Sequence, residues 1–324
     1  MSKIFITRKI PDLAETMLRE AGHEVTVSQK DGVLTREELL ATLKQAEYDA
    51  VLCLLTDKID DEVLAAAPSV KIFANYAVGF DNLDLAAAKA RGVLMTNTPC
   101  DSTSSSVAEH ALALMVAVGR RIVEADQFVR DGKYAGWAPM LFLTPDLVGR
   151  TLGIIGAGRI GSRLAHHAAR GFEMKVIYFD IKRNEGLEKE FGAEFKASVE
   201  ELLKEADYVS LHVNLTPETT HLINRERLAL MKPGAVLVNT ARGPVVDEAA
   251  LVEALQKKQI AGAGLDVFER EPALAAGLKD LPNAVLTPHI ASATLEVRAD
   301  MARIAAENII ATLLGKTPPN NLIQ

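Results

Sequence analysis

The chain has little of what would mark several large classes of protein. Of its 324 residues only two are cysteines, Cys53 and Cys100. Two are too few for a disulfide framework and match no metal-ligand spacing, so buried free thiols in a reducing cytoplasm are expected, and no metal. Positive charge is not in excess: 36 Lys and Arg stand against 43 Asp and Glu, a formal net charge of -7. No basic footprint for nucleic acid or an anionic membrane follows from that balance. Long hydrophobic runs are also missing. The longest helical apolar stretch, 107–118, contains Glu109 and His110, which makes it too short and too polar to span a bilayer, and residues 1–9 hold a strand-like run instead of a signal region.

What the chain does have is alternation. Short β-branched runs at 4–7, 24–27, 50–54, 71–76 and 93–96 read as strands, and helical periodicity at 12–21, 35–46, 60–66 and 83–91 separates them. The first of these helices is expected to bury Leu13, Met17, Leu18 and Ala21 on one face. Strands separated in this way by helices imply a parallel sheet covered on both faces. The pattern breaks at 99–106, a polar, serine-rich stretch that reads as a hinge before a long apolar helix over 107–129. A second series starts at Thr151, with strands expected at 152–155, 175–179, 208–213, 235–239, 264–267 and 284–286, and a last helix over 294–314. Six such strands match a doubly wound dinucleotide domain.

The second series opens on a fingerprint. Gly156-Ala157-Gly158-Arg159-Ile160-Gly161 follows an apolar strand and precedes a helix, and Asp180 ends the next strand, nineteen positions past the last glycine. Gly156 permits a sharp turn, Gly158 lets a pyrophosphate approach the backbone, and Gly161 lets helix and strand pack closely. The helix N-terminus then offers free N–H groups and a positive dipole end. Asp180 can accept from both ribose hydroxyls and repel a 2′-phosphate, so NAD(H) is favoured; Lys182 and Arg183 close behind keep NADP(H) open.

Three further blocks carry chemistry: Asn239-Thr240-Ala241-Arg242-Gly243-Pro244-Val245-Val246-Asp247, Gly264-Leu265-Asp266-Val267-Phe268-Glu269-Arg270-Glu271-Pro272 and Thr287-Pro288-His289-Ile290-Ala291-Ser292. Together with Asn75-Tyr76-Ala77-Val78-Gly79-Phe80-Asp81-Asn82, they closely resemble the signatures of the D-isomer-specific 2-hydroxyacid dehydrogenases, and within that family the glyoxylate and hydroxypyruvate reductase branch. The resemblance runs over essentially the whole chain. It implies an α/β fold of two doubly wound parallel-sheet domains, with a Rossmann NAD-binding domain (101–289) inserted into a flavodoxin-like substrate domain (1–100 and 290–324). It also implies NAD(P)H-dependent reduction of a small 2-oxo acid, glyoxylate or hydroxypyruvate, to the D-2-hydroxy acid in the cytoplasm.

The chemistry explains why the blocks belong together. Reducing a 2-oxo acid needs a hydride at the carbonyl carbon, a proton for its oxygen and a cation that orients the carboxylate. Arg242 suits the clamp, because a planar guanidinium presents two donors where lysine presents a point charge. His289 suits the proton relay, with Glu271 orienting the ring and stabilising its charged form. Glu269 reads as a solvated carboxylate. His23, His166, His167 and His221 read as surface or helix-packing residues, and His110 and His212 as structural.

Other roles come from the resemblance alone. It assigns Val78 and Gly79 amides to the substrate carboxylate, Arg159 and Ile160 to the pyrophosphate, and Val213, Thr240 and Asp266 to the nicotinamide half. Ser104 stands near a contact usually made by threonine. Leu54 and Leu55 read either as walls limiting the substrate side chain or as strand core. Residues 132–147, with Trp137, resemble the branch's dimerisation arm, so a homodimer is expected, with Trp137 either reaching the partner or anchored in its own subunit.

Two alternatives are carried beside this reading. A 3-phosphoglycerate dehydrogenase would resemble the pattern Arg-Ala-Gly-Val-Gly where this chain has Asn75, and no regulatory domain is expected after Gln324. An NAD-sensing corepressor could keep the fold while acting through protein partners.

Overall fold

A computed structural model of the chain describes residues 1–323, which form two compact units: Met1–Thr103 with the chain from Ala293 onward, and Ser104–Ser292. In the first, β1 (Lys3–Ile6), α1 (Leu13–Glu20), β2 (Glu24–Val27), α2 (Arg36–Gln45), β3 (Ala50–Leu54), α3 (Asp61–Ala66), β4 (Ile72–Tyr76), α4 (Leu85–Arg91) and β5 (Leu94–Thr96) alternate without exception. The strands pair in parallel in the order β2-β1-β3-β4-β5, the flavodoxin-like order. One face of the sheet packs Ile4, Ile6 and Ala74 against Leu18 and against Val297, Met301 and Ile309 of the chain's last helix. The other packs Phe5, Val51 and Phe73 against Leu39, Leu43, Val63 and Leu64. Helix α1 buries Ala14 and Leu18, while Leu13 and Ala21 face solvent.

The boundary between the units falls inside α5 (Asp101–Gly119). The serine-rich stretch is therefore helical, not a loop. Its hydroxyls are occupied: Ser102 Oγ donates to Asp300 at 2.7 Å and Ser106 Oγ to the Ala291 carbonyl at 2.7 Å. Polar composition here marks side chains that hydrogen-bond within the fold. The long helix expected over 107–129 is in fact two. It stops at Gly119, Arg121 takes a left-handed φ of 52°, and α6 (Ile122–Arg130) follows. A Cβ on Gly119 would lie 2.5 Å from the Tyr208 hydroxyl, so close packing demands glycine, a poor residue for continuing a helix.

The second unit contains β6 (Thr151–Ile155), α7 (Arg159–Phe172), β7 (Lys175–Phe179), α8 (Glu185–Phe191), β8 (Glu194–Phe195), α9 (Val199–Glu205), β9 (Tyr208–Leu211), α10 (Arg225–Leu228), β10 (Val236–Asn239), α11 (Glu248–Gln256), β11 (Gly262–Leu265) and β12 (Ala284–Leu286); α12 (Leu295–Leu313) closes the first unit. Its seven strands are parallel in the order β12-β11-β10-β9-β6-β7-β8. The chain winds outward one way from β6 through β7 to β8, then resumes on the other side with β9. That reversal leaves a crevice at the carboxyl ends of β6 and β9, where a doubly wound sheet takes its ligand. The two-residue β8 has no periodicity to detect. Strand β11 begins two residues earlier than its apolar run suggests because Gly262 and Gly264 are strand residues: a Cβ on either would strike Val118 or Leu114 of α5 at 2.6 and 2.9 Å.

Candidate active site

The glycine loop between β6 and α7 is built as the fingerprint requires. Gly156 has φ +96°, and a Cβ there would lie 2.7 Å from the His212 carbonyl; a Cβ on Gly161 would lie 2.2 Å from the Gly156 oxygen. Gly158 is the opposite case, with nothing within 4 Å of its Cβ position. Two glycines are thus fixed by protein packing, and the middle one faces space. As N-cap of α7, Gly158 brings no side-chain cap, so the first-turn amides beside Arg159 and Ile160 remain available to an anion. These features fit a dinucleotide.

Asp180, at the end of β7, accepts from the Ala157 amide at 2.7 Å and from the Lys182 amide at 3.3 Å. Asn184 steadies the same loop, donating to the Ala157 carbonyl at 2.8 Å and to Ser162 Oγ at 3.1 Å. Arg183 is engaged elsewhere: its guanidinium donates twice to Glu188, at 3.0 and 2.8 Å, and lies 5.5 Å over the Phe195 ring. Of the two cations next to Asp180, Lys182 alone makes no side-chain contact of this kind among the described residues. Val213 borders the loop, its amide 2.9 Å from the Gly156 Cβ position. Thr240, at the end of β10, is buried with a hydroxyl that has no partner among the described residues, and Ser104 is buried on α5.

The three polar blocks come together through backbone contacts. A Cβ on Gly243 would lie 1.8 Å from the Phe268 carbonyl, so only glycine allows the arginine turn to lie against the segment that carries Glu271. Asn239 shapes that turn, accepting from the Ala241 amide at 3.0 Å and donating to the Arg242 carbonyl at 2.8 Å. Arg242 donates from Nη1 to the Ala241 carbonyl at 2.8 Å.

His289 Nδ1 lies 2.9 Å from Glu271 Oε2, while the other Glu271 oxygen accepts from the Phe268 amide at 3.1 Å. Partial burial disfavours ionising Glu271, but the His289 hydrogen bond and charge, the Phe268 amide and the Arg242 charge outweigh it and hold the carboxyl below its ordinary range. With Nδ1 turned to the carboxylate, Nε2 is the ring atom left to act. His289 sits at φ +56°, a region that costs an L-residue energy unless its surroundings fix it. They do: its own amide donates to the Asp266 carbonyl at 2.8 Å, and the next two amides, of Ile290 and Ala291, donate to the Asp266 carboxylate at 2.9 and 2.8 Å.

Asp266 is 0% exposed. It also accepts from Thr287 Oγ1 at 2.6 Å, and His110 Nε2 lies 3.0 Å from that hydroxyl. Sequence reasoning assigned Asp266 to the nicotinamide end and did not find its role as the clamp that shapes the His289 turn. The spacing from Asp266 to Ile290 and Ala291 carries no local signal for it. Glu269 is not a solvated carboxylate: it accepts from the Glu248 amide at 3.2 Å and lies 3.1 Å from His221 Nε2. It braces the loop that carries Glu271. His212 supports the glycine loop; Nε2 meets Ser210 Oγ at 2.9 Å, Nδ1 is enclosed without a partner among the described residues, and burial pushes the ring's pKa down to about 4.

In the first unit, Leu54 is half-buried at the end of β3, Leu55 is exposed, and Val78 and Gly79 follow β4. Neither the Val78 nor the Gly79 amide finds an acceptor among the described residues. Asn75 is 0% exposed and its amide points into a hydrogen-bond network. Cys53 is buried and Cys100 half-buried, both as free thiols. Residues 132–147 form no helix or strand, and Trp137 is 84% exposed, so it is not anchored within its own subunit. Among the described residues no group of three or more His, Cys, Asp or Glu could hold a metal ion, and no helix is long and apolar enough to cross a membrane.

Residues 112–291 match the model of the D-isomer specific 2-hydroxyacid dehydrogenase, NAD binding domain. The chain belongs to that family. The matched stretch holds the glycine loop, Arg242, Glu271 and His289, and similarity to individual members extends well beyond it. A glyoxylate reductase of Pyrococcus furiosus is 49% identical over 321 residues, covering 98% of this chain and 94% of its own. A crystal structure of a Thermus thermophilus protein superposes with a TM-score of 0.92 at 46% identity, covering 99% of this chain and all of the other. An NADPH-dependent glyoxylate/hydroxypyruvate reductase from Sinorhizobium meliloti, solved in complex with citrate, superposes with a TM-score of 0.84 at 31% identity, covering 99% of this chain and 98% of its own.

Proposed function

We propose that the chain is an NADH-dependent reductase of glyoxylate and hydroxypyruvate, yielding the D-2-hydroxy acid. The observation that carries this reading is the His289–Glu271 pair at 2.9 Å, held beside Arg242 on the same sheet edge as a glycine loop fit for a dinucleotide. The bound cofactor supplies the hydride. Arg242 binds the carboxylate and polarises the carbonyl with paired donors. His289, protonated, delivers the proton from Nε2 to the carbonyl oxygen and is recharged from solvent, while Glu271 keeps the ring oriented and balances its charge. In the first unit, the amides of Val78 and Gly79 are assigned to the substrate carboxylate and Leu54 to the substrate side chain. Gly156, Gly158, Gly161, Arg159 and Ile160 are assigned to the pyrophosphate, Asp180 to the ribose, and Val213, Thr240 and Ser104 to the rest of the cofactor.

Asp180 favours NADH, since a carboxylate accepts from ribose hydroxyls and repels a phosphate. NADPH is the second reading, favoured by Lys182. A homodimer built on 132–147 is supported by the exposure of Trp137 and Met140. Steady-state assays of 2-oxo acids against NADH and NADPH test the proposal. Glyoxylate and hydroxypyruvate should give the highest kcat/KM, with NADH, and a preference for phosphohydroxypyruvate of about tenfold or more would overturn it.

A further inference from the structure

Three asparagines of the first unit hold the backbone of the three residues assigned to substrate contact, one each. Asn97 Nδ2 donates to the Val78 carbonyl at 2.7 Å, Asn75 Nδ2 to the Gly79 carbonyl at 3.0 Å, and Asn82 Nδ2 to the Leu54 carbonyl at 3.2 Å. Asn75 and Asn82 are also joined to each other, amide to amide, at 3.1 and 3.3 Å, and Asn82 reaches the Asp57 carbonyl at 2.9 Å. Asn75 and Asn97 are buried. None of the three aims its amide group at solvent in the manner of a ligand contact.

Peptide geometry gives this arrangement a consequence. In a trans peptide the carbonyl of one residue and the N–H of the next point in opposite directions. The Ala77 carbonyl accepts from the Thr98 amide at 2.9 Å, which turns the Val78 N–H the other way. Asn97, by holding the Val78 carbonyl, does the same for the Gly79 N–H, and Asn75, by holding the Gly79 carbonyl, for the Phe80 N–H. All three amides lack an acceptor among the described residues. Successive outward N–H groups of this kind make an anion-binding concavity, and carbonyl oxygens turned inward no longer repel an anion there.

We propose that Asn75, Asn82 and Asn97 are positioning residues for the 2-oxo acid: they aim the amides of Val78, Gly79 and Phe80 at its carboxylate and tie the Leu54 loop to the same scaffold. The inference rests on the reaction assigned above, and it extends the carboxylate donors to Phe80 N–H. The three side chains act through backbone, not by touching substrate. Loss of Asn97 or Asn75 frees a peptide plane to turn, and loss of the Asn82 amide releases its hold on Asn75 Oδ1; each weakens carboxylate binding and leaves the dinucleotide contacts of the other unit alone.

The test compares Asn97→Ala, Asn75→Ala and Asn82→Asp with wild type. The last removes the donor group but keeps an acceptor, and its half-buried position carries the test if a buried variant fails to fold. KM for glyoxylate and the Kd of oxalate, an unreactive carboxylate probe titrated calorimetrically into the NADH complex, should both rise about tenfold, as expected for losing one or two oriented hydrogen bonds. The limiting kcat and the NADH Kd from fluorescence quenching should stay within about threefold. Unchanged oxalate and glyoxylate constants in a folded variant would overturn the assignment, and so would a parallel loss of NADH affinity. Wild type that reduces no 2-oxo acid fails on the unmodified enzyme, and would overturn the underlying reaction instead.

Discussion

The two units use the same architecture, a parallel sheet with short loops at the carboxyl ends of its strands, but offer different chemistry there. The second presents charged side chains: Arg242, Glu271 and His289 are polar residues on tightly packed turns, each turn fixed by a glycine or a buried carboxylate. The first presents backbone. Its amides at Val78 and Gly79 have no acceptor among the described residues, and inward-turned asparagines hold the carbonyls of those same residues. A side chain that reacts must be a particular residue type, and so it leaves a mark in the sequence. A backbone amide can belong to any residue, and what fixes it lies elsewhere in the chain. On the proposed reaction the division has a functional logic, since bond-making needs groups that gain and lose protons, and holding a carboxylate needs only donors that stay put.

That contrast is most sharply broken or upheld at His289. His289→Ala should lower kcat for reduction by about 10²–10⁴, while the NADH Kd by fluorescence stays near wild type. A variant retaining more than about a tenth of the wild-type rate would mean that the charged turns are not where the proton moves.

The next effect concerns the cofactor. Asp180→Ser should weaken NADH binding about tenfold. It should gain little for NADPH by itself, because Arg183 remains engaged by Glu188 at 2.8 Å and lies over Phe195. Adding Glu188→Gln should loosen Arg183 and improve NADPH affinity by a further several-fold, read by titration. Equal NADPH affinity in the single and double variants would leave Lys182 as the cation that matters.

The third effect is on stability, and it has opposite signs in the two units. His212 is neutral in the folded second unit, its pKa pushed down to about 4 by burial. Its folded pKa lies below its unfolded one, so the stability it contributes is present above the ordinary imidazole pKa near 6.5 and is lost as pH falls from there towards 4. The full loss is on the order of 3 kcal/mol. Asp57 in the first unit has its pKa raised by burial. The part of its free energy due to that shift therefore favours folding below the ordinary aspartate range and fades as pH rises. Hydrogen exchange at pH 7 and pH 4.5 should show the sheet around β9 losing more protection than the sheet around β3. His212→Asn should shrink the difference, and an unchanged difference would remove His212 as its cause.

How much was legible in the sequence follows the same division. The alternation of strands and helices, the glycine fingerprint and the family signatures could all be read because each rests on local residue type or period. The break at Arg121 could not, because it depends on a tyrosine hydroxyl eighty-odd residues away meeting Gly119. The helical reading of 101–106 was hidden by serine composition, and the partners that absorb those hydroxyls, Asp300 and the Ala291 carbonyl, are remote. Asp266 and Glu269 were visible as carboxylates, but that one shapes the His289 turn and the other braces a loop depends on long-range amides. Asn75 and Asn82 bound a block that carries the family resemblance, but nothing in residue type or period shows which carbonyls they and Asn97 hold.

The central claim is that a carboxylate-backed histidine moves the proton. Glu271, held ionised by His289, the Phe268 amide and Arg242 against its partial burial, does not itself titrate across neutral pH. Its loss can therefore be read cleanly. The direct measurement is the pH dependence of reductive kcat/KM in wild type and Glu271→Gln, with a deuterated reductant confirming that hydride transfer limits the rate. The descending limb at high pH should move to lower pH in the variant, because the amide keeps the shape but no longer balances the charged ring. The same limb in both enzymes, with a full isotope effect in each, would contradict the pairing of Glu271 with His289 as a working relay.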